Sequence, residues 1–312
     1  MFLPDFILST RQNKLFTESG IDTLKECIDK THFKNYPHQI EYRHNSRGYR
    51  DAEWPDSLTE LQNATWCFGD SFTVGLGSPL NHTWVNILQS KSNQRCINVS
   101  MDGASNNWIA RKILTLLEEI NPKLIIIQWS YTHRNEKSNL AMSDENRRIW
   151  VDFNSLADSG PLSEFNSFIN FINLVKQVEQ KKQKTKIIHS FIPRFFESSF
   201  IDHPTQSQFS DHSIQTQWNN VRGPDWPNIP NNQLSPLIQQ ELKELGMYEL
   251  IKQYCELLES LRPYYDFLNT IEYVPELINL DFARDGLHYD VITSTNFVDQ
   301  LVNLIDDLQL TK

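Results

Sequence analysis

Four short runs constrain this chain more than any other feature: Thr65 to Phe68, Cys96 to Val99 and Leu124 to Trp129, which are mostly apolar, and Lys186 to Phe191, whose apolar residues are Ile187, Ile188 and Phe191. Each has the length of a strand, and none alternates polar with apolar, so each must be covered on both faces. Longer stretches with apolar residues three and four apart predict helices over Thr83 to Gln89, Asn106 to Glu119, Leu162 to Gln180 and Pro236 to Ser260. A last helix is expected from about Thr293 to Leu308, where Phe297, Val298, Leu301, Ile305 and Leu308 share a face. Strands buried on both sides and alternating with helices fold as a parallel sheet between two helical layers, an α/β/α sandwich. With 312 residues, 39% of them hydrophobic, the chain can bury such a core.

Several function classes are disfavoured at once. The formal net charge is -10 and the longest basic run is Lys181-Lys182, so no nucleic-acid partner is expected. Cys27, Cys67, Cys96 and Cys255 are scattered without the paired short spacing of a zinc site, so no metal is expected. Cys67 and Cys96 lie in strand-like runs and are read as small buried thiols in a reducing compartment. The N-terminal apolar patch lacks a basic start and is interrupted by Pro4 and Asp5, which argues against a signal peptide or membrane span and for a cytoplasmic protein.

Residues 1–60 precede the strand-helix rhythm and are expected to form an N-terminal extension packed on a main domain of residues 61–312. Within the extension, Ile21 to Lys30 predicts a short helix and Gln39 to Arg43 a strand. Asn45 to Arg50 is turn chemistry, with Gly48 the candidate for a positive φ. That turn either lies on the polar surface or brings Asn45 or Arg50 to the lip of a site. Two polar stretches break the rhythm of the main domain, Tyr131 to Gly160 and a long insertion at about 194–234 that carries Trp218 and Trp226. Long loops in compact domains are often functional, and these aromatics either anchor the loop or stack on a sugar.

The first apolar run ends in Gly69-Asp70-Ser71, which places a serine hydroxyl where a strand hands over to a loop and helix. Such a hydroxyl becomes a nucleophile only beside a general base that a third group orients. Near the C-terminus, Asp285 and His288 stand three apart in Asp285-Gly286-Leu287-His288, a spacing that lets the carboxylate hold the imidazole. Asp70 is expected to brace its own loop through backbone hydrogen bonds instead of serving as that acid.

These blocks, in this order, resemble the SGNH hydrolases, also called the GDSL esterase and lipase family. The resemblance covers roughly Thr65 to the C-terminus. It implies a flavodoxin-like three-layer α/β/α sandwich with a central parallel sheet, Ser71 within Gly69-Asp70-Ser71-Phe72-Thr73-Val74-Gly75 as nucleophile, and Asp285 and His288 as its partners. Gly103, after the second strand, matches the family's second block and would add its N–H to that of Ser71 in an oxyanion hole. The second glycine of a G-x-S-x-G elbow is absent, which separates the chain from α/β-hydrolases.

The third block departs from the family pattern. Thr132 stands where an asparagine would supply an oxyanion donor, a loss worth about 2.7–4 kcal/mol of transition-state stabilisation. Thr132 itself, Arg134, Asn106 or Asn135 are the candidate replacements, although Arg134 is equally readable as a surface ion pair with Glu136 or Glu145. Trp129, Trp218 and Trp226, with many Asn and Gln side chains, favour an ester of a short acyl group, acetyl above all, on a carbohydrate. The expectation is therefore a serine esterase without cofactor, acting on a small-molecule or glycan ester. A catalytically weakened binding or structural protein and an O-acyltransferase with the same triad are the alternatives, and the oligomeric state is left open.

Overall fold

A computed structural model describes residues 3–131, 134, 136, 160–192, 263, 267, 270–274, 277 and 279–308. The chain divides into two units, one of residues 1–151, 170–197 and 272–312, the other of residues 152–169 and 198–271. Few residues of the second unit are described; the central sheet belongs to the first. Trp218, Trp226, Thr132, Asn135, Glu145, the insertion at 194–234 and the expected helix from Pro236 to Ser260 lie outside the described residues.

The four runs form one parallel sheet. Numbering the described elements in chain order, β1 is Leu15–Phe16, β2 Tyr42–Arg43, β3 Thr65–Gly69, β4 Cys96–Ser100, β5 Leu124–Trp129 and β6 Lys186–Phe191. The helices are α1 Leu24–Cys27, α2 Leu58–Asn63, α3 Ser71–Val74, α4 Trp84–Ser92, α5 Asn106–Glu119, α6 Gly160–Lys181 and α7 Val291–Asp307. The sheet order is β4-β3-β5-β6, so the chain steps to one side of its first strand and then returns to the other. This is the flavodoxin-like order, in which ligands lie outside the carboxyl ends of the strands where the direction of winding reverses. Here the reversal falls at β3, with Gly69 opposite Ser100 of β4, and Phe68 opposite Ile127 of β5.

Alternation along the strands sends Cys67, Leu124, Ile126 and Ile188 to one face, where they pack with Trp84 and Leu88 of α4 and with Phe297, Val298 and Leu301 of α7. The residues between them, Trp66, Ile125, Ile127 and Ile187, are buried too, and α5 packs against β3. Helix α5 starts sharply because the Ser105 side chain accepts from the Trp108 N–H. Cys67 and Cys96 are buried free thiols, as expected. Among the described residues no helix is long and apolar enough to cross a membrane.

Residues before the sheet pack tightly on it. Phe6 meets Trp66 edge-on at 6.0 Å, and Lys112 of α5 donates to the Asp5 carbonyl. Gly48 has φ +89, and a side chain there would run into Leu8, so the turn requires glycine. Only the tip of the turn reaches the surface, with Ser46 exposed and Arg47 half-buried. Asn45 and Arg50 are buried, and Arg50 donates to the carbonyls of Val74, Gly75 and Ser78 at 2.9, 2.7 and 2.9 Å. A guanidinium carries several donors in a rigid fork, so one side chain satisfies three carbonyls of the loop that follows Ser71.

Candidate active site

Ser71 is the first residue of α3, directly beyond the carboxyl end of β3. The turn that carries it is held by Asp70, whose Oδ1 accepts from the Phe72 N–H at 3.0 Å. The other oxygen of Asp70 accepts from the Ser130 hydroxyl at 2.6 Å and from Arg134 Nη1 at 2.7 Å. Asp70 thus braces the loop as the sequence suggested, and it does so across two strand ends. Its carboxylate also carries an ion pair that the sequence did not disclose. Glu136, one expected partner of Arg134, pairs with Arg111 instead.

The acid and imidazole are joined directly. His288 Nδ1 and Asp285 Oδ2 are 2.7 Å apart, while Asp285 Oδ1 accepts from the backbone N–H groups of Leu287 and His288 at 2.9 and 3.0 Å. Burial disfavours the Asp285 charge, but the His288 bond and the two backbone donors outweigh it and hold the carboxyl below its ordinary range. A carboxylate only accepts, so Nδ1 donates in this bond, which in a neutral imidazole leaves Nε2 as the acceptor nitrogen. The ring of Phe72, the neighbour of Ser71, lies 4.6 Å from the imidazole centroid.

Two further contacts tie the serine loop to the acid loop. Gly77 has φ +74, and a Cβ built on it would fall 2.9 Å from the Asp285 carboxylate and 2.9 Å from Ala283. Thr73 and Tyr289, neighbours of the serine and the histidine turns, both donate to Gln128 Oε1 on β5 at 3.0 Å. Gly103 follows β4 with φ +69, three residues past the Ser100 that pairs with Gly69, so it stands at the strand end adjacent to that of Ser71.

Two expected lip residues are placed otherwise. Trp129 is fully buried, donates Nε1–H to His189 Nδ1 at 2.9 Å, and lies parallel to that imidazole, so its indole face is covered by protein and does not meet a sugar. Asn106 is also buried. Its carbonyl accepts from the Ser130 N–H at 2.8 Å and its NH2 donates to the carbonyls of Ser130 and Tyr131 at 3.0 and 3.3 Å, so the amide fastens the end of β5 to the start of α5. Arg134 remains at the edge of the site, held by Asp70.

The extension supplies further contacts to the loops of the candidate site. Lys30 Nζ donates to the Asp285 carbonyl at 2.6 Å, and Tyr42 accepts from the Gly77 N–H at 2.9 Å while donating to Asp22. Nothing in the local sequence marks these residues, because their partners lie far along the chain. Among the described residues no cluster of His, Cys, Asp and Glu is arranged to hold a metal ion.

No family model and no curated protein matches the sequence. Solved structures do. TesA matches at 12% identity over 79% of this chain and 99% of that one, with a TM-score of 0.40. A family two carbohydrate esterase from Clostridium thermocellum, in complex with cellohexaose, matches at 11% identity over 84% of this chain and 68% of that one, with a TM-score of 0.38. A protein of the G-D-S-L family from Desulfitobacterium hafniense matches at 12% identity over 78% and 99% of the two chains, with a TM-score of 0.36. With TM-scores below 0.5, residue roles rest on the site itself.

Proposed function

We propose that this protein is a serine esterase of the SGNH type, with Ser71 as nucleophile, His288 as general base, Asp285 as the group that orients it, and the N–H groups of Ser71 and Gly103 as oxyanion donors. The observation that carries the reading is the 2.7 Å Asp285–His288 pair, with the Phe72 ring packed on the imidazole and Ser71 next to it in sequence. His288 Nε2 takes the Ser71 proton as Oγ bonds to the ester carbonyl carbon, and negative charge moves to the carbonyl oxygen. The carbon–oxygen bond to the alcohol breaks as the alcohol receives that proton. Water then repeats the sequence at the acyl-serine, releasing the acid and restoring Ser71. Thr132 is the proposed third donor.

The substrate class is an acetyl or similarly short ester on a carbohydrate. With Trp129 in the core, this part of the proposal rests on Trp218, Trp226 and the amide-rich stretch around them. Replacement of water by an acceptor alcohol would make the same residues an O-acyltransferase.

The test is hydrolysis of p-nitrophenyl acetate by the wild type and Ser71→Ala, with labelling by a serine-reactive phosphonate followed by intact mass. Turnover and a single adduct, both lost in Ser71→Ala, are expected. A folded wild type that neither turns over nor labels supports the binding-protein alternative, and full activity in the alanine variant removes Ser71 from the role. Acylation of an added glycan in preference to release of free acid identifies the transferase.

A further inference from the structure

The residue immediately before the proposed nucleophile carries a fully buried carboxylate. Asp70 is 0% exposed, and the three donors described on its carboxylate are the backbone N–H of Phe72, the Ser130 hydroxyl and the Arg134 guanidinium. Only the last brings a countercharge. Arg134 Nη1 also sits 3.0 Å from Ser130 Oγ, and the guanidinium lies 4.8 Å over the Tyr131 ring, which in turn meets Phe72 edge-on at 6.5 Å. The cation is therefore fixed by an ion pair, a hydroxyl and an aromatic face, an arrangement that a freely solvated surface arginine lacks.

This matters because attack by Ser71 builds negative charge on the substrate's carbonyl oxygen within the same strand-end region. An uncompensated anion at Asp70 would oppose that charge, and in a poorly solvated site such opposition is strong. We propose that Arg134 is a positioning residue that neutralises the Asp70 carboxylate and locks it against Ser130, so that the turn presents Ser71 without an unpaired anion behind it. The inference rests on the esterase reading above and gives Asp70 and Arg134 a joint role. The fork of the guanidinium matters less here than its charge, since a single nitrogen, Nη1, meets both Asp70 Oδ2 and Ser130 Oγ.

The experiment is a cycle of full-length variants: Arg134→Gln, Arg134→Lys, Asp70→Asn and Asp70→Asn/Arg134→Gln. Each is followed by kcat and KM on p-nitrophenyl acetate, phosphonate labelling rate and thermal midpoint. Arg134→Gln is expected to lower kcat and labelling roughly ten- to a hundredfold with KM within about twofold. Arg134→Lys is expected to keep most of the rate, and the double variant to be at least several-fold faster than Arg134→Gln, because the uncompensated charge is gone.

Wild-type kcat and labelling in folded Arg134→Gln would overturn the inference, whatever the thermal midpoint. So would a rise in KM at constant kcat, which would make Arg134 a substrate contact, or a double variant no faster than Arg134→Gln. If Arg134→Gln does not fold, the decision falls to the lysine and double variants: a slow Arg134→Lys of wild-type stability overturns the inference, as does a double variant slower than Asp70→Asn. These results all presuppose a wild type that labels. One that neither turns over nor labels refutes the esterase reading itself, and this inference with it.

Discussion

Asp22 and Arg284, 262 residues apart in the chain, form a buried two-point ion pair, with Nε on Oδ1 at 2.6 Å and Nη2 on Oδ2 at 2.9 Å. Arg284 immediately precedes Asp285 and also donates to the His38 carbonyl. Asp22 further accepts from Tyr42, which receives the Gly77 N–H. One carboxylate in the N-terminal extension thus fixes both the loop after Ser71 and the loop that carries Asp285 and His288.

Breaking that pair from one side strands a buried cation. Asp22→Asn is expected to cost about 3–5 kcal/mol in urea unfolding. Tyr42→Phe removes only the acceptor of the Gly77 N–H and one donor to Asp22, and should cost about 1–3 kcal/mol. A loss under about 1 kcal/mol in Asp22→Asn would show that the extension does not hold the acid loop.

Two glycines near the acid separate crowding from backbone strain. Both have positive φ, +74 at Gly77 and +68 at Gly286. A methyl on Gly77 meets the Asp285 carboxylate at 2.9 Å, whereas at Gly286 the nearest atoms belong to His32 and Lys30 side chains at 3.3 and 3.7 Å. Gly286→Ala should therefore cost about 1 kcal/mol of stability with little change in turnover. Gly77→Ala should also displace Asp285 and lower ester hydrolysis roughly tenfold or more. Equal effects on turnover would dismiss the close approach as functionally idle.

Acid sensitivity should begin well above the carboxylate range. Burial, with the nearby Arg11 charge, pushes buried His44 from 6.5 down to about 4, and burial also lowers His189 against the opposing pull of Glu179. A group whose folded pKa is depressed binds fewer protons in the native state, so its contribution is complete above its ordinary value and is lost as pH falls toward the folded one. For His44 that window runs from 6.5 to about 4 and is worth at most about 3 kcal/mol. Asp285, held below 3.8, adds its own loss only at lower pH. Urea unfolding at pH 7 and pH 5 should show the first loss in the wild type and a smaller one in His44→Gln; an identical pH slope in the two would remove His44 as the cause.

Asp285→Asn tests the imidazole's orientation. The amide keeps the size of the side chain but can present its NH2 to Nδ1, which would turn the ring's acceptor away from Ser71. Ester turnover is expected to fall on the order of a hundredfold or more while the fold is kept. Turnover within about threefold of wild type would mean that His288 is oriented by its surroundings, Phe72 among them, and not by Asp285.

Much of the framework was legible in the sequence because it depends on short-range pattern. Mostly apolar runs had to be strands of a covered parallel sheet, the Gly69-Asp70-Ser71 turn had to follow the first of them, and a three-residue spacing sufficed to bring Asp285 to His288. Gly48 announced its positive φ through turn chemistry alone. Side-chain destinations set by distant partners were not legible. Trp129 looks the same in a string of letters whether it ends at a lip or in the core, and only the pairing of β5 with β6 sets it parallel to His189. Asn106 gave no sign that both ends of its amide would be used by the end of β5.

By itself, then, the sequence determined the layer architecture, the strand that presents Ser71 and the local acid–imidazole pair, since periodicity and near-neighbour geometry decide those. Tertiary structure alone decided that Asp70 is neutralised by Arg134, and that Asp22, Lys30, Tyr42 and Arg50 from the extension hold the loops of the site. Buried charges and unpaired carbonyls need partners, and when those partners lie up to 262 residues away only the folded chain shows which ones they find.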